Sequence, residues 1–150
     1  MTKAERLANA NKLIEVIATC GRRFFHHDER VAKLEMDSRG RIWFIDSYSQ
    51  KRIYTHYENG RWRGFTHGGS LRSLVITLRR YIVEGRTIAH HYTFGPWPKS
   101  LAGGNLWGYG DDMQKVRDAA RELGILSEIQ PKAEPSMASQ TASSEARLAS

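Results

Sequence analysis

Glu58-Asn59-Gly60-Arg61-Trp62-Arg63-Gly64-Phe65-Thr66-His67-Gly68-Gly69-Ser70-Leu71-Arg72 is the stretch on which the reading of the fold turns. Asn59-Gly60 is a strong hairpin signal, because a type I′ turn needs positive φ at both central residues. A basic-aromatic strand over residues 61–65 then passes through a Gly68-Gly69 elbow into a helix with Ser70 as its N-cap. A two-residue loop sets the register, with Glu58 opposite Arg61, Tyr57 opposite Trp62 and His56 opposite Arg63. One face of that hairpin carries Ile53, Thr55, Tyr57, Trp62 and Gly64 toward a core. The other carries Arg52, Tyr54, His56, Arg61, Arg63 and Phe65. Arginines interleaved with rings can contact phosphates while the rings stack on bases. The same pattern also describes a solvated sheet face laced with pairs such as Glu58–Arg61.

Upstream, the hydrophobic period is two. Ala32, Leu34 and Met36 alternate with Lys33, Glu35 and Asp37, as in a half-buried strand. Asp37-Ser38-Arg39-Gly40 is a turn, and residues 41–46, apolar on both faces, read as a central strand. Residues 47–51 reverse the chain and residues 52–57 make a third strand. With residues 61–65 the sheet is a four-stranded antiparallel meander. Nearer the N-terminus, Thr2 and Glu5 have capping-box spacing, which starts a helix at Lys3. Leu7, Ala10, Ile14 and Ile17 form its stripe, and Gly21 is suited to close it. Cys20 lies on the apolar arc, which favours a buried structural thiol over a reactive one.

Downstream, Leu71, Leu74, Val75, Leu78 and Ile82 line a helix that Gly85 stops. Arg72, Arg79 and Arg80 lie to one side of it, interleaved with Ile76 and Val83. No acidic residue occurs before Glu84, so the first turn leaves its N–H groups and positive dipole end open to an anion. Gly68-Gly69 serves equally as a tight elbow that uses glycine's permissive φ. Residues 86–110 form a connection of uncommon length, whose Trp97, Trp107 and Tyr109 are expected to cover an edge of the core. Asp111 with Gln114 suggests a second capping box, Met113, Val116, Ala120 and Leu123 a stripe, and Gly124-Ile125-Leu126 a Schellman-type close. The fold class is therefore α+β. Residues 1–126 form a single domain, with an N-terminal helix, a helix after the sheet and a C-terminal helix packed on one face. Residues 127–150, rich in Ala, Ser and Pro, read as a disordered tail.

Composition narrows the function classes. The 150 residues carry a net charge of +7. Within residues 127–150, Lys132 and Arg147 stand against Glu128, Glu134 and Glu145, a net −1, which leaves +8 on the rest. A basic folded part suggests a polyanion, most often nucleic acid. One cysteine excludes an internal disulfide and a cysteine-only zinc site, and fits a reducing compartment. No apolar run approaches the roughly 20 residues of a membrane span, so a cytoplasmic protein is expected. His26, His27 and Asp28 are tempting metal ligands, but neither they nor His90-His91 follow a zinc spacing, and no metal is expected. His56, His67, Asp46, Asp111 and Asp112 could supply acid–base chemistry, yet none sits in a catalytic motif.

Lys51-Arg52-Ile53-Tyr54-Thr55-His56-Tyr57, Arg61-Trp62-Arg63-Gly64-Phe65 and His67-Gly68-Gly69-Ser70-Leu71-Arg72 together resemble small uncharacterised accessory proteins of bacteriophages and plasmids. The resemblance extends through Phe94-Gly95-Pro96-Trp97 and Leu106-Trp107-Gly108-Tyr109-Gly110-Asp111. It implies a bacterial cytoplasm and an accessory role, such as countering host defence or regulating the genes of the element. The order helix, three strands, helix also looks loosely like a double-stranded-RNA-binding domain. That family's Lys-Lys start to its second helix is missing here, and an extra strand intervenes.

The leading expectation is a non-enzymatic nucleic-acid-binding accessory protein of a mobile element, for DNA or RNA, without a cofactor. Arg52, Tyr54, His56, Arg61, Arg63 and His67 would make contacts from the sheet side, and Gly68, Gly69, Ser70 and Arg72 would hold a phosphate. The competing expectation is an inhibitor or adaptor that binds a bacterial host defence complex through Ile76, Arg79, Val83, Trp97 and Trp107.

Overall fold

In the computed structural model, which describes residues 1–21, 23–88 and 112–126, helix α1 (Lys3–Ala18) starts on the capping box read from the sequence. Thr2 Oγ1 accepts from the Glu5 amide at 3.1 Å, and the Glu5 carboxylate accepts from the Thr2 amide at 2.7 Å. The helix ends at Ala18 with Thr19 as C-cap, and Gly21 takes its positive φ of 51° beyond the helix instead of closing it.

Five short strands follow, in two antiparallel sheets. Strands β1 (His26–His27) and β2 (Arg30–Val31) form a two-residue ladder around Asp28, whose φ is positive. The larger sheet has the order β3 (Lys33–Met36), β4 (Ile42–Ile45), β5 (Arg52–Tyr54), with β4 central as its two-faced apolarity predicts. Register pairs Leu34 with Phe44 and Phe44 with Ile53 on the core face, and Glu35 with Trp43 and Trp43 with Tyr54 on the other. The edge of β3 is covered by a side chain. Asn11 donates to the Leu34 carbonyl at 2.9 Å and accepts from its amide at 2.7 Å, pairing as a neighbouring strand would.

The fourth strand does not form. Asn59 keeps a negative φ and only Gly60 turns positive, at 78°, so the chain lacks the type I′ geometry that would fold residues 61–65 back onto β5. Side chains take the backbone groups that a further ladder would use. The Thr55 carbonyl accepts from Arg79, and the Tyr57 carbonyl accepts from Trp62 Nε1 at 2.8 Å. Trp62 is buried through its own ring, while Tyr57, expected on the core side, is 68 % exposed.

Helix α2 (Gly69–Glu84) begins at Gly68, its N-cap, not at Ser70, and ends at Gly85 in the left-handed region. Its apolar stripe, Leu71, Leu74, Val75, Leu78 and Ile82, is buried as read, and Tyr81 is buried with it. Helix α3 (Met113–Glu122) has Asp112 as N-cap without a side-chain cap bond. Asp112 instead accepts from the Gly21 amide at 2.9 Å, and Gln114, expected to complete the box, bonds Asp118 and Arg117. The Schellman close does form: the Ile125 amide reaches the Ala120 carbonyl and the Gly124 amide that of Arg121. One core joins these elements. Helix α1 packs against β3, α2 and α3, and α2 also against β4, so α3 adds to the helix layer through α1. Trp97, Trp107, Tyr109, His90-His91, Asp111 and the tail over residues 127–150 lie outside the described residues. Among the described residues no helix is long and apolar enough to cross a membrane.

Candidate functional site

The segment between β5 and α2 is built by side chains reaching backbone groups, and it shapes two hollows. It leaves the sheet gradually. The Thr55 amide and hydroxyl both donate to the Ile42 carbonyl, while His56 Nε2 accepts from the Ile42 amide at 3.1 Å. Glu58 then fastens the segment to α2 through Arg79 and Arg80, with the Arg80 bond at 2.7 Å. The Arg79 hydrogen bond is the main cause that holds the Glu58 carboxyl below its ordinary value. At the far end, the Gly64 carbonyl accepts from Ser49 Oγ. Gly64 has a φ of +87°, and a β-carbon there would lie 2.7 Å from Lys51 Cβ. Only glycine fits so close a crossing.

Asp46 is the hub beneath this segment. Its carboxylate accepts from the Tyr48 and Ser49 amides and from both the amide and hydroxyl of Thr66, at 3.0–3.1 Å. Burial works to raise its pKa, but the bonds from Ser49 and Thr66 and the nearby His67 prevail and the value is lowered. His67 lies against Phe25, Phe44 and Phe65 at ring-centroid distances of 5.1, 6.4 and 5.3 Å. Its Nε2 is 3.8 Å from Asp46 Oδ1, too far for a hydrogen bond, and finds no other partner among the described residues. Burial pushes the His67 pKa below the ordinary histidine value, against the pull of Asp46.

The first hollow, of about 280 Å³, is lined by Arg61, Trp62, Phe65, His67, Gly68, Gly69 and Arg72. It brings together five of the residues singled out in the sequence: Arg61, His67, Gly68, Gly69 and Arg72. Arg72 is held in place by stacking on the Trp62 ring (4.7 Å) and by donating through Nη1 to the Gly60 carbonyl at 2.6 Å. Its Nη2 is buried without a partner among the described residues. The first turn of α2 carries no acid and Gly68 makes no side-chain cap.

The elbow explanation for Gly68-Gly69 fails on this geometry. Gly68 has φ −77°, which any residue adopts, and Gly69 is helical. A β-carbon on either would meet nothing within 4 Å. Neither conformation nor packing asks for glycine. What the pair provides is an open approach to the N-terminal amides of α2.

The second hollow, about 480 Å³ and more open, lies on the outer sheet face and is lined by Arg41, Trp43, Tyr54, His56 and Tyr57. Trp43 and Tyr54 face each other across β4 and β5 with ring centroids 5.0 Å apart, and Tyr57 meets Tyr54 at 5.3 Å. Arg52 stacks over Trp43 at 4.0 Å, and Arg41 donates to the Tyr54 hydroxyl at 3.1 Å. Asp37 fixes the Trp43 ring by accepting from Nε1 at 2.9 Å. That bond, with the Arg41 amide, lowers its pKa to about 2.

The expected single basic-aromatic face is thus divided. Arg61, His67, Gly68, Gly69 and Arg72 line one hollow and Tyr54 and His56 the other, with Arg52 at the rim over Trp43. Arg63 and Ser70 are exposed and line neither. Phe65, read as outward, packs against the core. His56 is committed to the Ile42 amide, and burial with Arg79 and Arg41 keeps its pKa low. The outward helix face changes as well. Arg79 is buried on Thr55 and Glu58, and Ile76 and Val83 are partly buried against the core. Sequence reading missed the wall Trp62, the hub role of Asp46, and Arg41 and Trp43. For Asp46 a signal existed, since an aspartate followed by Ser47-Tyr48-Ser49 suits a turn closed by side-chain-to-amide bonds.

Comparison with known proteins adds ancestry. No solved structure matches the chain. The chain is 26 % identical, over 129 residues, to a Bacillus subtilis (strain 168) protein described as "SPbeta prophage-derived uncharacterized protein YoqU"; the match covers 83 % of this chain and 85 % of that one. The model of the YoqU family matches residues 1–144, both hollows included, and the chain belongs to that family.

Proposed function

We propose that the protein binds nucleic acid without catalysing a reaction, holding backbone phosphate in the hollow at the N-terminus of α2. The observation that carries this reading is the glycine pair. Gly68 and Gly69 have no conformational or packing need for glycine, and they open onto amides flanked by Arg61 and Arg72. Backbone N–H groups at a helix start combine with the dipole to favour an anion, and two guanidinium groups add charge-assisted bonds. Arg72 stands at the hollow with its guanidinium fixed by the Trp62 ring and the Gly60 carbonyl, which presets its charge beside the helix start. Asp46, the acid beside His67 in the wall of the hollow, has its charge met by four hydrogen bonds. The net charge of +7 favours a polyanion over a small anion. The prophage origin of the B. subtilis relative supports a role as an accessory protein of a mobile element.

The test is affinity for labelled duplex DNA, single-stranded DNA and RNA at two salt concentrations. Arg61→Glu and Arg72→Gln should each weaken binding roughly 10-fold or more and reduce the salt slope by about one. Arg63→Glu makes the same charge change as Arg61→Glu outside the hollow, and should cost clearly less. Equal losses from Arg61→Glu and Arg63→Glu would show that general charge, not this hollow, attracts the ligand. Absence of binding at low salt would end the reading altogether.

A further inference from the structure

From the second hollow, and resting on the reading just given, we infer that the preferred ligand is an unpaired strand, one of whose bases stacks on the Trp43–Tyr54–Tyr57 shelf. Among the described residues no helix packs on the outer face of β4 and β5, yet it carries three aromatic rings where polar residues would suffice for a solvated face. Tyr57 is the least explained by packing: it is 68 % exposed, and its ring contact is with Tyr54. Two of the three rings are anchored by hydrogen bonds, and the third has its backbone held. Asp37 pins Trp43 through Nε1, Arg41 pins the Tyr54 hydroxyl, and Trp62 Nε1 holds the Tyr57 backbone. A preset aromatic cleft of this kind suits a flat π-system, and loses little entropy on taking one.

Charge selects among flat ligands. Arg41 lines the shelf and Arg52 lies over Trp43 at its rim. The nearby acids are engaged: Asp37 by three donors, Glu35 by Lys33 and Arg52, and Glu58 by Arg79 and Arg80. A base carried on a phosphate backbone fits rings bordered by arginine better than an aromatic peptide side chain does. Continuity supports the same ligand. The Trp62–Tyr57 hydrogen bond of 2.8 Å ties a wall of the phosphate hollow to a wall of the shelf. Residues 57–62 thus contribute a wall to each hollow. In a duplex the bases are paired and stacked, so the shelf would gain nothing from it.

The experiment compares the intact protein with Tyr57→Ala on four ligands of equal length: single-stranded DNA, single-stranded RNA, an abasic strand and a duplex. Tyr57 is exposed, so the variant should keep its fold, which circular dichroism checks. The wild type should prefer base-bearing strands to the abasic strand by roughly 10- to 100-fold, the range of one stacked base. Tyr57→Ala should erase most of that preference while leaving abasic binding and the salt slope unchanged. Equal DNA and RNA affinity means that the shelf reads the base face alone; a difference adds a 2′-hydroxyl contact to the same site. Binding that depends on Arg61 and Arg72 but treats duplex, abasic and single strand alike would overturn the shelf and keep the phosphate site. Binding of none of the four would overturn both, and capture of an aromatic peptide by the shelf would replace this inference.

Discussion

Two turns of this chain look alike on paper and fold differently. Asp37-Ser38-Arg39-Gly40 and Glu58-Asn59-Gly60-Arg61 each put an acid before a glycine that takes positive φ, at 80° and 78°. The first makes a hairpin. Asp37 accepts from the Arg39 and Arg41 amides with one oxygen and from Trp43 with the other, and the Asp37 amide reaches the Arg41 carbonyl. The second makes none, because Glu58 looks outward to Arg79 and Arg80 on α2 and not inward to its own turn. Both glycines permit a reversal. A hairpin follows only where the acid's side chain and the flanking backbone bond within the turn; where a helix captures them, the chain becomes a loop with hollows beside it. The candidate site exists because the second turn failed as a hairpin.

Arg79→Met should test that contrast most severely. The guanidinium is buried and serves the Thr55 carbonyl and the Glu58 carboxylate together. Its loss leaves a buried acceptor unpaired and unfastens the segment, at about 2–3 kcal/mol. In hydrogen exchange, amides over residues 55–66 should lose protection before those of β3, β4 and β5. New strand-like protection over residues 61–65 would show that Arg79 suppresses a hairpin the sequence otherwise prefers. Loss spread evenly over the whole chain would mean that the segment is no separate unit.

A smaller effect separates the glycines. Alanine at Gly60 meets nothing within 4 Å and costs only its left-handed backbone, about 1 kcal/mol. Alanine at Gly64 adds a collision with Lys51 Cβ and Cγ at 2.7 and 2.6 Å, so Gly64→Ala should cost roughly 1 kcal/mol more by denaturant unfolding. Equal costs would mean that the 64–51 crossing relaxes freely, and that the loop is held less tightly than its hydrogen bonds imply.

What was legible in the sequence follows the same divide. Helix α1 with its capping box, the central β4, the buried Cys20 and the apolar stripe of α2 rest on local pattern, and local pattern reported them correctly. Of the residues that line the first hollow, Arg61 was named on a strand that does not form, whereas His67, Gly68, Gly69 and Arg72 were named at the elbow and helix start, where they stand. Their positions depend on contacts far apart in sequence, such as Asp46 with Thr66, Arg79 with Thr55 and Arg72 with Gly60. Periodicity carries no trace of these. The small β1–β2 ladder was also hidden, since His26-His27-Asp28-Glu29 offers no alternation, and Phe25 reaches the core at a positive φ of 69°.

The smallest effect is on pH dependence, and its sign follows from the two histidines on either side of the loop. Both His56 and His67 have folded pKa values below the ordinary one, by burial first, aided at His56 by Arg79 and Arg41 and opposed at His67 by Asp46. A depressed histidine binds its proton less readily folded than unfolded. Stability is therefore complete above the unfolded value of about 6.5 and declines as pH falls through it, until the folded pKa is reached. Asp46, also lowered, keeps its full contribution until pH falls to the ordinary aspartate value near 3.8, so it adds nothing to this first limb. Denaturant midpoints should fall between about pH 7 and pH 5, and His67→Gln should remove part of the decline while the His56 share persists. A flat profile would show that neither imidazole is held neutral. Phosphate sharpens the contrast further. An anion beside Gly68 and Arg72 would favour protonated His67 and shrink its share, whereas His56, bonded to the Ile42 amide on the sheet side, should respond little. Inorganic phosphate that flattened both limbs equally at constant ionic strength would be acting on net charge, not in the hollow.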